Sequence, residues 1–192
     1  MPPKLDLPVK AFKTPAAFRT WLTKNHANLP GIWLRFFKKA SGTKTVTYDE
    51  ALDQALCFGW IDGQVQRYDE VSYLQRFTPR RSRSPWSKRN TEHVARLHAA
   101  GLIMPAGLAA IEAAKADGRW DTAYASPKNA APPDDFLAAL AKRQKAMAFF
   151  NTLTRANLYA IVYRLTTCKK PETRERRMQQ ILDMLDRGEK FH

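Results

Sequence analysis

The sequence predicts an α+β fold: a small antiparallel sheet of about three strands with packed helices, followed by a helical C-terminal region. Three observations point there. Residues 32–37, "IWLRFF", and residues 72–78, "SYLQRFT", are rich in aromatic and branched residues, as strands are. Several segments open on a capping residue or a proline and continue with apolar residues at helical spacing. Beyond residue 134 only helical patterns follow.

The first helix is expected at "TPAAFRTWLTKNH". Thr14 caps it, and Pro15 suits the first helical position because its missing N–H has no partner there. Phe18, Trp21, Leu22 and Asn25 share one face. In the strand that follows, Ile32, Leu34 and Phe36 alternate with Trp33, Arg35 and Phe37. Thr47 and Glu50 form a capping box at the second helix, whose expected stripe is Leu52, Ala55, Leu56 and Trp60, with Gly59 and Gly63 at its end. "QVQRY" and "SYLQRFT" then read as a hairpin across "DEV".

A third helix is expected to open at Ser84 and Pro85, and a fourth at Pro105 with Gly118 past its end. Residues 121–133 lack periodicity and hold several prolines, which reads as a linker between an α+β domain at 1–120 and a helical region at 134–192. There Asp134 or Asp135, Thr154 and Pro171 start helices. Leu158, Ile161, Val162 and Leu165 face inward from one, and Met178, Ile181, Leu182 and Leu185 from another. The basic run "KKPETRERR", with Lys169 and Lys170, reads as a solvated helix face.

The chain of 192 residues is 44% hydrophobic with a formal net charge of +14, so it can bury a core and attracts polyanions. No apolar run is long enough for a membrane span, and the N-terminus lacks the apolar stretch of a signal peptide, so a cytoplasmic location is expected. Cys57 and Cys168 are far apart in apolar contexts and read as buried free thiols. The four histidines lack metal-ligand spacing, and no phosphate loop, dinucleotide motif or nucleophile elbow is present, so no catalytic residue, metal or cofactor is assigned.

The charge concentrates in "LQRFTPRRSRSPWSKRN", residues 74–90, which holds six cations and no acid. A helix opening at Ser84 would present amides at residues 86–88 to the arginines of the preceding turn, an arrangement suited to a phosphate or carboxylate. The candidate anion site is therefore Arg80, Arg81, Arg83, Ser84, Ser87, Lys88, Arg89 and Asn90, with Trp60, Asp62, Gln64, Arg76 and Trp86 as neighbours. Trp60 also reads as core, and Asp62 as the partner of an arginine in the turn.

"ALDQALCFGWIDGQ" followed by "LQRFTPRRSRSPWSKRN" resembles the core signature of the YdeI/OmpD-associated family of bacteriocin-protection proteins, and "KKPETRERRMQQILDMLDRGEK" resembles its C-terminal helical region. The likeness runs from about Phe12 to Lys190; "NLYAIVYRLTTC" is more apolar than the family's usual run there. The resemblance implies a link to bacteriocin tolerance, and it brings no agreed catalytic residues. The leading expectation is a binding or interaction protein with an anionic small molecule or acidic protein surface as partner. The alternatives are a nucleic-acid-binding protein using the same stretch, and an enzyme acting on an anionic small molecule.

Overall fold

The structure is a computed structural model that describes residues 6–125, 130–168 and 170–192. Residues 126–129 of the expected linker, and Lys169, lie outside the described residues. The chain divides into two compact units. One comprises residues 1–86 and 90–121, the other residues 87–89 and 122–192.

The first unit is built on a four-stranded mixed sheet in the order β1-β2-β4-β3. Its strands are β1 (Val9–Lys10), β2 (Ile32–Phe37), β3 (Trp60–Arg67) and β4 (Ser72–Pro79). The expected count of three omitted β1, a two-residue strand paired in parallel with β2. So short a strand carries no alternation to read, and its partner's backbone defines it. β2 and β4 run antiparallel with Ile32 opposite Phe77 and Leu34 opposite Gln75. This register puts Ile32, Leu34, Phe36 and Phe77 on one buried face. Leu7, Trp33 and Leu74 pack together in a smaller cluster.

Two helices cover the larger core. In α1 (Pro15–Asn25) Thr14 Oγ1 accepts from the amide of Ala17. At α2 (Tyr48–Cys57) the capping box forms in both directions between Thr47 and Glu50. α1 buries Phe18 and Leu22, and α2 buries Leu52, Ala55, Leu56 and Cys57. Trp21 meets Trp60 edge-on at 6.0 Å, and the Trp60 indole donates to the carbonyl of His26 at 3.1 Å.

Trp60 departs from expectation: it opens β3 and is not part of the α2 stripe. Gly59 has φ +71, which ends the right-handed helix and turns the chain. Trp60 therefore enters the same core from a strand. Between Asp62 and Val65 the β3–β4 register is broken by a bulge. The Gly63 carbonyl there accepts from Gln75 Nε2 at 2.7 Å, which satisfies a buried amide.

α3 (Lys88–Ala99) and α4 (Pro105–Ala116) complete the set. α3 starts later than the Ser84-Pro85 pair suggests. Arg119 donates to the Ser84 carbonyl and Arg80 to the Pro85 carbonyl, so side chains take acceptors that a helix through these residues would use. α4 approaches the end of α2 so closely that a methyl group on Gly107 would lie 2.4 Å from the Cys57 carbonyl oxygen.

In the second unit, α5 (Asp134–Ala141), α6 (Gln144–Phe150), α7 (Arg155–Thr166) and α8 (Pro171–Asp186) surround a core of Phe136, Leu140, Ile161, Leu165, Met178, Ile181, Leu182 and Leu185. Thr154 caps α7 as expected. α5 is preceded by Pro133, so Asp134 and Asp135 fall in its first turn; Asp135 accepts from the Phe136 amide. Leu158 is half-buried and not fully inward. Cys57 is buried, whereas Cys168 is half-buried and donates to the Arg164 carbonyl. Among the described residues no helix is long and apolar enough to cross a membrane.

Three carboxyls in this unit titrate low. A hydrogen bond from Arg174 holds Asp135 below the ordinary 3.8, one from Arg143 does so for Asp183, and one from Arg187 holds Glu189 below 4.5. The unfolded chain therefore binds more protons in acid than the folded one. Their contribution is complete above the ordinary values and is lost as pH falls through the depressed ones. The helical signal of this unit is expected to melt at a constant temperature above about pH 5 and progressively lower below about pH 4. In Asp183→Asn that acid dependence should flatten, as measured by circular dichroism melts across pH.

Candidate functional site

The turn after β4 is held by two cations. The Arg80 guanidinium lies 3.6 Å from the centre of the Trp86 ring, and its Nη1 donates to the Pro85 carbonyl at 3.1 Å. The Trp86 side chain, 2% exposed, packs at 5.0 Å against Trp120. From the loop after α4, Arg119, 8% exposed, pairs with Asp117 and donates to the Ser84 carbonyl at 2.8 Å. The Ser84 amide in turn donates to the Arg81 carbonyl, closing a tight turn around residues 82 and 83. Arg81 and Arg83 are exposed on this braced loop and make no ion pair among the described residues.

The other expected site residues scatter. Lys88 does not offer its amide to a ligand: it donates to the Tyr124 carbonyl at 2.9 Å, and Ser87 bridges the same residue. Ser87, Lys88 and Arg89 thus fall in the second unit, while Arg80, Arg81, Arg83, Ser84 and Asn90 fall in the first. Lys88 and Arg89 are exposed, and Asn90 is buried. Trp60 is core. Asp62 accepts from the Tyr48 hydroxyl at 2.8 Å, a tyrosine taking the place of the expected arginine. Gln64 is exposed at the bulge, and Arg76 pairs with Asp6 at 2.8 Å.

Arg119 and Trp120, the braces of the turn, were not among the expected site residues. They lie where α4 has ended, about 35 residues downstream of the turn, and nothing in a linear pattern joins them to it. A second cluster was equally hidden. Asp53 on α2 accepts from His93 at 2.6 Å and from Arg96 at 2.7 Å, pinning α3 to α2. Nearby, burial pushes the Cys57 thiol up, against the opposing pull of a hydrogen bond with Arg19. A thiol so placed is held protonated and is a poor nucleophile. Among the described residues no group of three His, Cys, Asp or Glu side chains could hold a metal ion.

Family comparison separates the two halves of the chain. Residues 10–110 match the family model of a domain of unknown function, DUF8412. The chain belongs to the DUF8412 family. Residues 129–188 match a second family model, described as bacteriocin-protection, YdeI or OmpD-associated. The resemblance to the latter family is thus borne out, and its position is corrected. The stretch around residues 51–90 lies in the DUF8412 region, and the YdeI/OmpD-associated match covers the C-terminal helices, the apolar α7 included. No curated protein and no solved structure matches the chain. The braced turn therefore belongs to the DUF8412 region.

Proposed function

We propose that this DUF8412 protein is a cytoplasmic binding protein, and not an enzyme, that holds an anionic group at Arg81 and Arg83. The observation that carries the reading is the division of labour among the cations of the turn. Arg80 and Arg119 fix its backbone, while Arg81 and Arg83 are left on the surface. Guanidiniums on a rigid loop lose less freedom on gripping a phosphate or carboxylate than guanidiniums on a mobile one. The net charge of +14 draws anions towards the molecule. A role in bacteriocin tolerance rests on the match of residues 129–188 to proteins of that description.

Phosphate or sulfate is expected to raise the melting temperature of the tryptophan signal, and the double variant Arg81→Ala, Arg83→Ala should lose most of that rise. Both side chains are exposed, so without anion the variant should stay within about 0.5 kcal/mol of the parent. An equal rise in parent and variant removes the site. Retardation of DNA or RNA that weakens steeply with salt would instead favour nucleic acid as the ligand.

A further inference from the structure

The second unit contains a groove of about 700 Å³ between α7 and α8. That volume lies within the range of roughly 300–1,000 Å³ typical of small-molecule sites. One wall is the C-terminal tail. Asn157 on α7, 3% exposed, holds it with two hydrogen bonds to the backbone of His192, at 3.1 and 3.3 Å. Phe191 is thereby folded in, and Arg164 stacks on its ring at 3.9 Å. The groove is built from tied elements and is not a gap between loops.

Its lining combines two chemistries. Ile181, Met184 and Phe191 supply apolar surface. Arg164 and Arg177 supply positive charge, each anchored through Nη1: Arg164 to the Ala160 carbonyl, Arg177 to the Arg164 carbonyl and the Cys168 sulfur. Neither arginine meets a carboxylate among the described residues. The acid in the lining, Glu189, is taken by Arg187 at 2.9 Å, so it does not cancel the other two charges.

The geometry points to a binding site for an amphipathic organic anion, a carboxylate or phosphate carried on an apolar body. Its head would lie against Arg164 and Arg177, and its body along Ile181, Met184 and Phe191. Inorganic anions would leave the apolar wall uncovered, and an uncharged body would leave the arginines without a counter-charge. This site does not depend on the Arg81–Arg83 turn: all its residues lie in the second unit, and either reading can fail alone.

The test is calorimetric titration of the full chain with octanoate and with octyl phosphate, using acetate, inorganic phosphate and octanol as controls. One or both octyl anions should bind, and which is tighter identifies the head group. Each control should bind at least about ten-fold more weakly, because each lacks one of the two contacts. Arg177→Gln, at an exposed position, should weaken the octyl anion about ten-fold, as expected for one charge-assisted hydrogen bond. Arg164→Gln should do the same, and if it fails to fold the Arg177 variant decides alone. Absence of binding overturns the site. So does unchanged affinity in Arg177→Gln, acetate or phosphate binding as tightly as the octyl anions, or an acidic peptide binding where they do not.

Discussion

Trp86→Ala is expected to destabilise the first unit by about 3–5 kcal/mol, the usual cost of deleting a large buried aromatic. The indole is 2% exposed, packs on Trp120 and forms the platform under Arg80. Removing it opens a cavity and takes away the ring that holds the Arg80 guanidinium. Trp86→Phe should cost far less, about 1 kcal/mol. The phenyl ring keeps the platform, and it removes the buried indole N–H, which has no acceptor among the described residues. If Arg80 stacking presents Arg81 and Arg83, Trp86→Phe retains the rise in melting temperature with phosphate. Where Trp86→Ala still folds, it should lose that rise. Urea titrations followed by tryptophan fluorescence are well suited here, because Trp21, Trp33, Trp60, Trp86 and Trp120 all lie in the first unit. A loss below about 1 kcal/mol for Trp86→Ala would show that the turn does not depend on the ring.

Gly107→Ala should destabilise by about 1–3 kcal/mol, the range for overpacking a tight contact. The sign is the informative part. In an exposed helix the same change stabilises by roughly 0.5–1 kcal/mol, since alanine has less freedom to lose. At Gly107 the added methyl would stand 2.4 Å from the Cys57 oxygen and 2.9 Å from its carbon. These are backbone atoms at the end of α2, and the same oxygen accepts from the Met104 amide at 2.9 Å. Accommodating the methyl means moving α4 away and lengthening that hydrogen bond. A stabilised Gly107→Ala variant in the same urea titration would show that α4 does not approach so closely.

What the sequence made legible was local. Thr14, Thr47 and Thr154 identify helix starts because a cap is a bond to an amide three residues on, within reach of a short pattern. Ile32, Leu34 and Phe36 reveal their shared face through a period of two. The same logic misplaced α3. Ser84 and Pro85 carry a valid start signal, but Arg80 and Arg119 occupy the carbonyls that a helix there would use. Local preference is worth about 1 kcal/mol and yields to tertiary contacts of that size or larger.

The candidate site followed the same division. That the turn is cationic was plain from composition. Which cations brace it and which face water depends on Trp86, Trp120 and Asp117, brought together by folding. Expecting Asp62 to pair an arginine was reasonable on charge alone. Tyr48, fourteen residues earlier, reaches it from the first turn of α2. The groove in the second unit left no trace in the pattern, because its walls meet only when Asn157 holds the tail.

The bulge in β3 also bears on how copies of the chain meet one another. β3 lies at the edge of the sheet, and Val65, 64% exposed, sits on it. An unbroken edge of this length would offer a straight row of backbone donors and acceptors to a neighbouring strand, with an apolar side chain to reward the encounter. Gly63 and Gln64 interrupt that row and twist it out of register. A feature that satisfies the Gln75 amide inside one molecule thus also discourages strand-to-strand aggregation between molecules.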